Sequence, residues 1–142
     1  MERKLAIITG ADGGMGMEIT RAVAREGYAV IMACCSLSKA EPKCRELAKE
    51  TGNKNMEVWE IDLASLASVK TFANRVLQRN TSIALLMNNA GTMETGSHIT
   101  EDGLERTVSV NYVGPCLLTR LLLPLMGQGT RIVNMVSCTY AI

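Results

Sequence analysis

What this chain lacks narrows it before any motif is read. Neither sign of charge is in excess: 15 Lys and Arg stand against 14 Asp and Glu, for a net charge of +1. With no basic run either, the electrostatic footprint of a nucleic-acid or anionic-membrane binder is missing. The longest greasy stretch, Leu121-Leu122-Leu123-Pro124-Leu125-Met126, falls far short of the roughly 20 apolar residues of a membrane helix. The apolar run Leu5-Ala6-Ile7-Ile8, after Met1-Glu2-Arg3-Lys4, is too short for the core of a signal peptide. The five cysteines (34, 35, 44, 116 and 138) form no C-x-x-C pair and are odd in number. That argues against a disulfide or zinc framework and for small, reduced core residues. The single histidine, His98, sits in a polar stretch with no carboxylate–serine order of a triad around it. There are no repeats, low-complexity tracts or linkers. These absences predict one soluble, cytoplasmic domain over residues 1–142, touching neither nucleic acid nor membrane. A chain of this length can bury about two thirds of its unfolded surface.

What is present centres on Thr9 to Gly16, reading T-G-A-D-G-G-M-G. An apolar run precedes it, and a helical pattern follows with Met15, Ile19, Ala22 and Val23 on one face. Between a strand and a helix, Gly10 can turn the chain where a side chain would clash. Gly14 and Gly16 remove the Cβ atoms that would hold a pyrophosphate off the backbone and the helix off the sheet. The first N–H groups of the new helix lack partners and point outward, so an anion is welcome there. Together these predict a dinucleotide site.

Further along, strands and helices alternate. Tyr28-Ala29-Val30-Ile31-Met32-Ala33 reads as a second strand covered on both faces. A helix is expected from about Ser38 to Glu50, capped at Ser38 or, given Pro42, at Glu41. Met56 to Ile61 alternates as an edge strand with one wetter face, and Trp59 on it reads as packing. Ser65 caps a third helix with inner face Val69, Phe72, Ala73 and Val76. Ile83 to Met87 forms a fourth strand, and a long helical pattern runs from about Glu101 to Leu125. Pro115 should kink that helix or mark where one helix gives way to the next. Arg131 to Val136 is a fifth strand. The fold class is therefore α/β: a Rossmann-like, doubly wound parallel sheet of five strands in the order 3-2-1-4-5. Ligand is expected where the winding reverses.

Five short motifs occur in one order: Thr9-Gly10-x-x-x-Gly14-x-Gly16, Asp62-Leu63, Asn88-Asn89-Ala90-Gly91, Asn111 and Ser137. In that order they resemble the short-chain dehydrogenase/reductase family over essentially the whole chain. The run Thr100 to Asn111, then Leu117-Leu118-Thr119, looks most like the retinol-dehydrogenase and protochlorophyllide-reductase-like branch. The resemblance implies an oxidoreductase moving hydride between NAD or NADP and a small carbonyl or alcohol substrate. It assigns cofactor contacts to Thr9, Gly10, Asp12, Gly14, Met15 and Gly16 in the loop, and to Cys35 after the second strand. Asp62 and Leu63 would meet the adenine, although Asp62 also suits a helix cap. Asn89, Ala90 and Gly91 would form the floor beneath the adenine ribose. Ser137 would polarise the substrate carbonyl, and Asn111 would anchor a water that relays protons.

The chain departs from that pattern in two places. The family's proton-donating Y-x-x-x-K motif does not occur; Tyr140 lies too near Ser137 and no lysine follows it. A front half, incompetent for turnover alone, is the expectation; the alternative is a dinucleotide-binding module without catalysis. A methyltransferase would want an acid after the second strand, where Ala33-Cys34-Cys35 stands. The same missing acid leaves room for a phosphate and favours NADP over NAD, whereas Asp12 pushes the other way. An apolar fifth strand at the sheet edge predicts a homo-oligomer.

Overall fold

The computed structural model describes residues 3–138, so Tyr140 lies outside the described residues. Its strands are β1 (Leu5–Thr9), β2 (Ala29–Cys34), β3 (Met56–Glu60), β4 (Ile83–Asn88) and β5 (Arg131–Asn134). All pair in parallel, in the order β3-β2-β1-β4-β5, as expected. Every residue of β1 and β2 is buried, because helices cover both faces of the sheet centre.

Side-chain alternation divides the core in two. Ile8, Val30, Met32 and Cys34 pack with α1 (Gly14–Arg25) and α2 (Leu37–Thr51). Leu5, Ile7 and Ile31 pack on the other face with α3 (Leu66–Arg79) and α5 (Gly114–Leu122). Each fully buried Leu, Ile or Phe contributes about 1.5–3 kcal/mol relative to exposure. Winding therefore runs outward from β1 in both directions, and the crevice at the carboxyl ends of β1 and β4 is where the direction reverses.

The third helix forms as read: Ser65 accepts from the Ser68 amide, and Val69, Phe72, Ala73 and Val76 are buried. Trp59 is packing, edge-on to Phe72 with the Arg75 guanidinium 3.8 Å over its ring.

Other expectations are corrected. On α1 the buried stripe is Gly16, Thr20 and Ala24, whereas Met15 is 60% exposed and Ala22 is also exposed. Small residues win that face because they bring the helix axis close to the sheet. Helix α2 starts at Leu37 after Ser36, earlier than either expected cap, and carries Pro42 within it. Strand β3 is at the edge but has no single wet face. Met56 and Val58 pack toward α2 while Trp59 packs toward α3.

The long helix begins at Arg106, not Glu101, because Glu105 caps it by accepting from the Val108 amide at 3.0 Å. It runs as α4 (Arg106–Val108), a widened π turn over Ser109–Val113, α5, and a tight final turn, Leu123–Leu125. Pro115, second in α5, has no N–H for the Asn111 carbonyl, and the widened turn just before it accommodates the ring. This interrupted run holds a window of mean hydropathy 1.3, and over its 20 residues is long and apolar enough to cross a membrane. Counting consecutive apolar residues had missed that, because scattered polar residues break the run without lowering its average far. Its Ser109, Gly114, Leu118 and Leu122 are buried in the fold. Strand β5 ends at Asn134, two residues early, and all four of its residues are exposed.

Candidate functional site

The reversal point is built by two loops that brace each other. Gly10 has φ +61°, and a Cβ on it would lie 2.8 Å from the Ala90 Cα, so only glycine lets the two loops touch there. The Asn89 side chain donates to the carbonyls of Thr9 and Gly10, at 3.2 and 3.3 Å. The Thr9 hydroxyl accepts from the amides of Asn89 (3.1 Å) and Ala90 (3.0 Å). Thr9 is fully buried and forms no part of a cavity wall. Thr9 was expected among the cofactor contacts; its oxygen is engaged in holding the second loop.

Gly16 closes the glycine loop on itself: a Cβ there would fall 1.9 Å from the Gly10 oxygen. Gly14 is different, since its Cβ would meet nothing within 4 Å, and it is absent from the cavity wall. Of the two glycines expected to give clearance, Gly16 is the one the loop's own backbone requires. At the start of α1 the capping residue is Gly13, without a side-chain cap, and the first turn carries no acid. The amides of Gly14, Met15 and Gly16 have no protein acceptor among the described residues. That leaves N–H groups at the positive end of a helix dipole.

Beside this turn lies a cavity of about 540 Å³, within the range of small-molecule sites. Gly10, Asp12, Met15, Gly16, Cys35, Asp62, Leu63, Asn89, Ala90 and Gly91 all line it, so ten expected contacts converge. Asp62 does not cap the third helix, a place taken by Ser65. The Asp62 Oδ1 accepts from the Ala64 amide at 2.9 Å, tightening the turn, while the residue also faces the cavity. Leu63 is fixed from behind: the Ser109 hydroxyl donates to its carbonyl at 3.0 Å. Burial first, and then the neighbouring Asp12 carboxylate, push the Cys34 thiol up to about 12.

Sequence reasoning missed Arg106, Val110, Thr92 and Met135, which also line the wall. Val110 adjoins Asn111 and could have been read from that motif. Arg106, held by Glu94 at 2.8 Å, becomes visible only once the loop after β4 folds back.

The two expected catalytic residues are not in this wall. Asn111 is exposed, not sunk in an apolar helix, and both ends of its amide are paired. Its Nδ2 donates to the Thr92 carbonyl at 2.8 Å and its Oδ1 accepts from the Thr92 amide at 2.7 Å. It lines a neighbouring cavity of about 430 Å³ with Asn88, Thr119 and Asn134. Ser137 lies three residues beyond β5, exposed and outside both walls. Among the described residues there is no cluster of His, Cys, Asp or Glu suited to a metal.

This geometry has counterparts among known proteins. Human retinol dehydrogenase 13 is 36% identical over 139 residues, covering 96% of this chain and 42% of that protein. The chain thus spans less than half the length of this curated relative. An uncharacterised protein from Mycobacterium paratuberculosis superposes with a TM-score of 0.84 at 36% identity, covering 96% of this chain and 47% of the other. The alcohol dehydrogenase of Thermococcus sibiricus, solved with 5-hydroxy-NADP, gives 0.73 at 30% identity, covering 87% and 53%. The short chain dehydrogenase family model itself matches residues 4–140, nearly the whole chain, and to that family of oxidoreductases this protein belongs.

Proposed function

We propose that this chain forms the cofactor-binding part of an NAD(P)-dependent oxidoreductase acting on a carbonyl or alcohol. One observation carries the reading. Unpaired amides at the start of α1 flank a cavity whose wall runs from the glycine loop to Asp62 and Leu63. A pyrophosphate fits the first part, since helix N-termini bind anions through such amides. An adenosine fits the second, where the Asp62 carboxylate can accept from an amino group and Asn89 to Gly91 form a floor. When bound, the nicotinamide would give or take hydride. Asp62, Leu63 and the loop amides orient the dinucleotide; Ser137 would hold the substrate oxygen, and Asn111 would position water through the atoms Thr92 leaves unused. A resident nicotinamide cofactor, NADP or NAD, is in keeping with the Thermococcus sibiricus relative, which was solved with an NADP derivative.

No Y-x-x-x-K motif occurs in these 142 residues, and this reading assigns no proton donor among them. On this reading the 142-residue chain binds cofactor without turning over. That same observation favours a second reading, a dinucleotide-binding module with no reaction of its own. Fluorescence titration with NADH and NADPH tests the shared claim, and a carbonyl-reduction assay separates the two. Binding without turnover fits both, turnover by the chain alone removes the module, and no binding by folded protein removes both. A cytoplasmic, membrane-free and self-associating protein completes the proposal.

A further inference from the structure

The corner where the glycine loop meets the end of β2 decides which dinucleotide fits. The Gly10 amide donates to the Ala33 carbonyl at 2.9 Å, which draws Asp12 and Cys35 to one side of the cavity. In dinucleotide folds the residue after this strand meets the adenosine ribose. An acid there holds the free hydroxyls, and an arginine pairs with a 2′-phosphate. Here the position is an uncharged, exposed thiol, Cys35.

The charge at this corner comes from the loop instead. Asp12 lines the cavity, and its carboxylate is in no ion pair among the described residues. Lys43 reaches the loop from α2, but its ammonium donates to the Asp12 main-chain carbonyl at 2.7 Å and is not in the wall. Arg106, which is in the wall, is paired with Glu94. A 2′-phosphate, carrying about −1.5 to −2 charge at pH 7, would meet the Asp12 residue in the wall, while the Lys43 ammonium stays outside the wall on the Asp12 main-chain carbonyl. A 2′-hydroxyl would meet an acceptor.

We propose that Asp12 acts as the ribose-hydroxyl acceptor in place of an acid after β2, and that this chain selects the dinucleotide without a 2′-phosphate. The inference rests on the dinucleotide reading above and reverses the sequence-based preference for NADP, which set the missing acid above the opposing charge of Asp12. The structure adds that Asp12 and Cys35 share one cavity wall and that Asp12 is in no ion pair among the described residues. Like-charge juxtaposition in a partly desolvated site is costly, so at least about tenfold discrimination is expected.

The test uses the 142-residue chain and two probe pairs: NADH against NADPH by nicotinamide fluorescence, and ADP against 2′,5′-ADP by calorimetry. The second pair reports on this corner without needing the nicotinamide end. Wild type should bind the unphosphorylated member of each pair about tenfold tighter or more. Asp12→Asn should narrow the ratio by strengthening the 2′-phosphorylated ligand, and adding Cys35→Arg should invert it. Equal or tighter binding of NADPH and 2′,5′-ADP by wild type would overturn this inference and leave the dinucleotide reading standing. Binding of none of the four by protein with a folded circular-dichroism spectrum would overturn both.

Discussion

Replacing Gly16 with alanine should damage this protein far more than the same change at Gly14, two residues away. At Gly16 the added Cβ would lie 1.9 Å from the Gly10 oxygen, 2.8 Å from its carbonyl carbon and 2.9 Å from the Ala11 Cα. All three are backbone atoms, so no rotamer change relieves the contact. The loop must open by about 1 Å merely to reach 3.0 Å. Overpacking of this kind costs about 1–3 kcal/mol, and a rigid backbone neighbour places it at the upper end. For a domain of this size that is a fall in Tm of about 6–12 °C. Opening the loop also displaces the amides of Met15 and Gly16, so dinucleotide affinity should fall with stability. At Gly14 the Cβ meets nothing, and alanine recovers part of the roughly 0.5–1 kcal/mol that glycine loses in a helix. Thermal melts by circular dichroism of the two variants beside wild type provide the assay. If Gly16→Ala melts with wild type, or Gly14→Ala falls as far as Gly16→Ala, this account of the loop is wrong.

Thr9→Val removes the acceptor shared by the Asn89 and Ala90 amides. It should lower stability by about 2 kcal/mol in urea titrations, with Thr9→Ser restoring most of it. Cys34, whose thiol is raised to about 12 from an ordinary value of 9.0, holds its proton more tightly folded than unfolded. Its contribution to stability is therefore complete below pH 9 and lost as pH climbs from 9 toward 12. Melts at pH 8 and 10.5 should show a drop that Cys34→Ala lessens, and a drop unchanged in that variant would refute the assignment. At neutral pH, maleimide should label the exposed Cys35 in folded protein and reach Cys34 only after unfolding. Ile132 and Val133 stand about 40% exposed on an edge strand, close to Met135 and the 84%-exposed Val136. The chain should accordingly self-associate at micromolar concentration, and a monodisperse 15.4 kDa species in light scattering would sink that idea.

Unbroken apolar runs at Leu5–Ile8 and Ala29–Ala33, each separated from the next by a helical pattern, determined a parallel sheet covered on both faces. The glycine spacing from Gly10 to Gly16, with Asp62 and Asn89-Ala90-Gly91 at later strand ends, determined where its crevice would lie. These features are local or periodic, and the backbone reads them the same way wherever the segment ends up. Tertiary structure alone decided which glycine is indispensable, because the Gly16 clash is with a carbonyl whose position depends on how the whole loop closes. It decided that Thr9 braces the second loop, since its partners lie some 80 residues away. It also brought Asp12 and Cys35 to one corner and left Arg106 tied to Glu94. Charge selectivity depends on distances between residues remote in sequence, and only a folded chain fixes those distances.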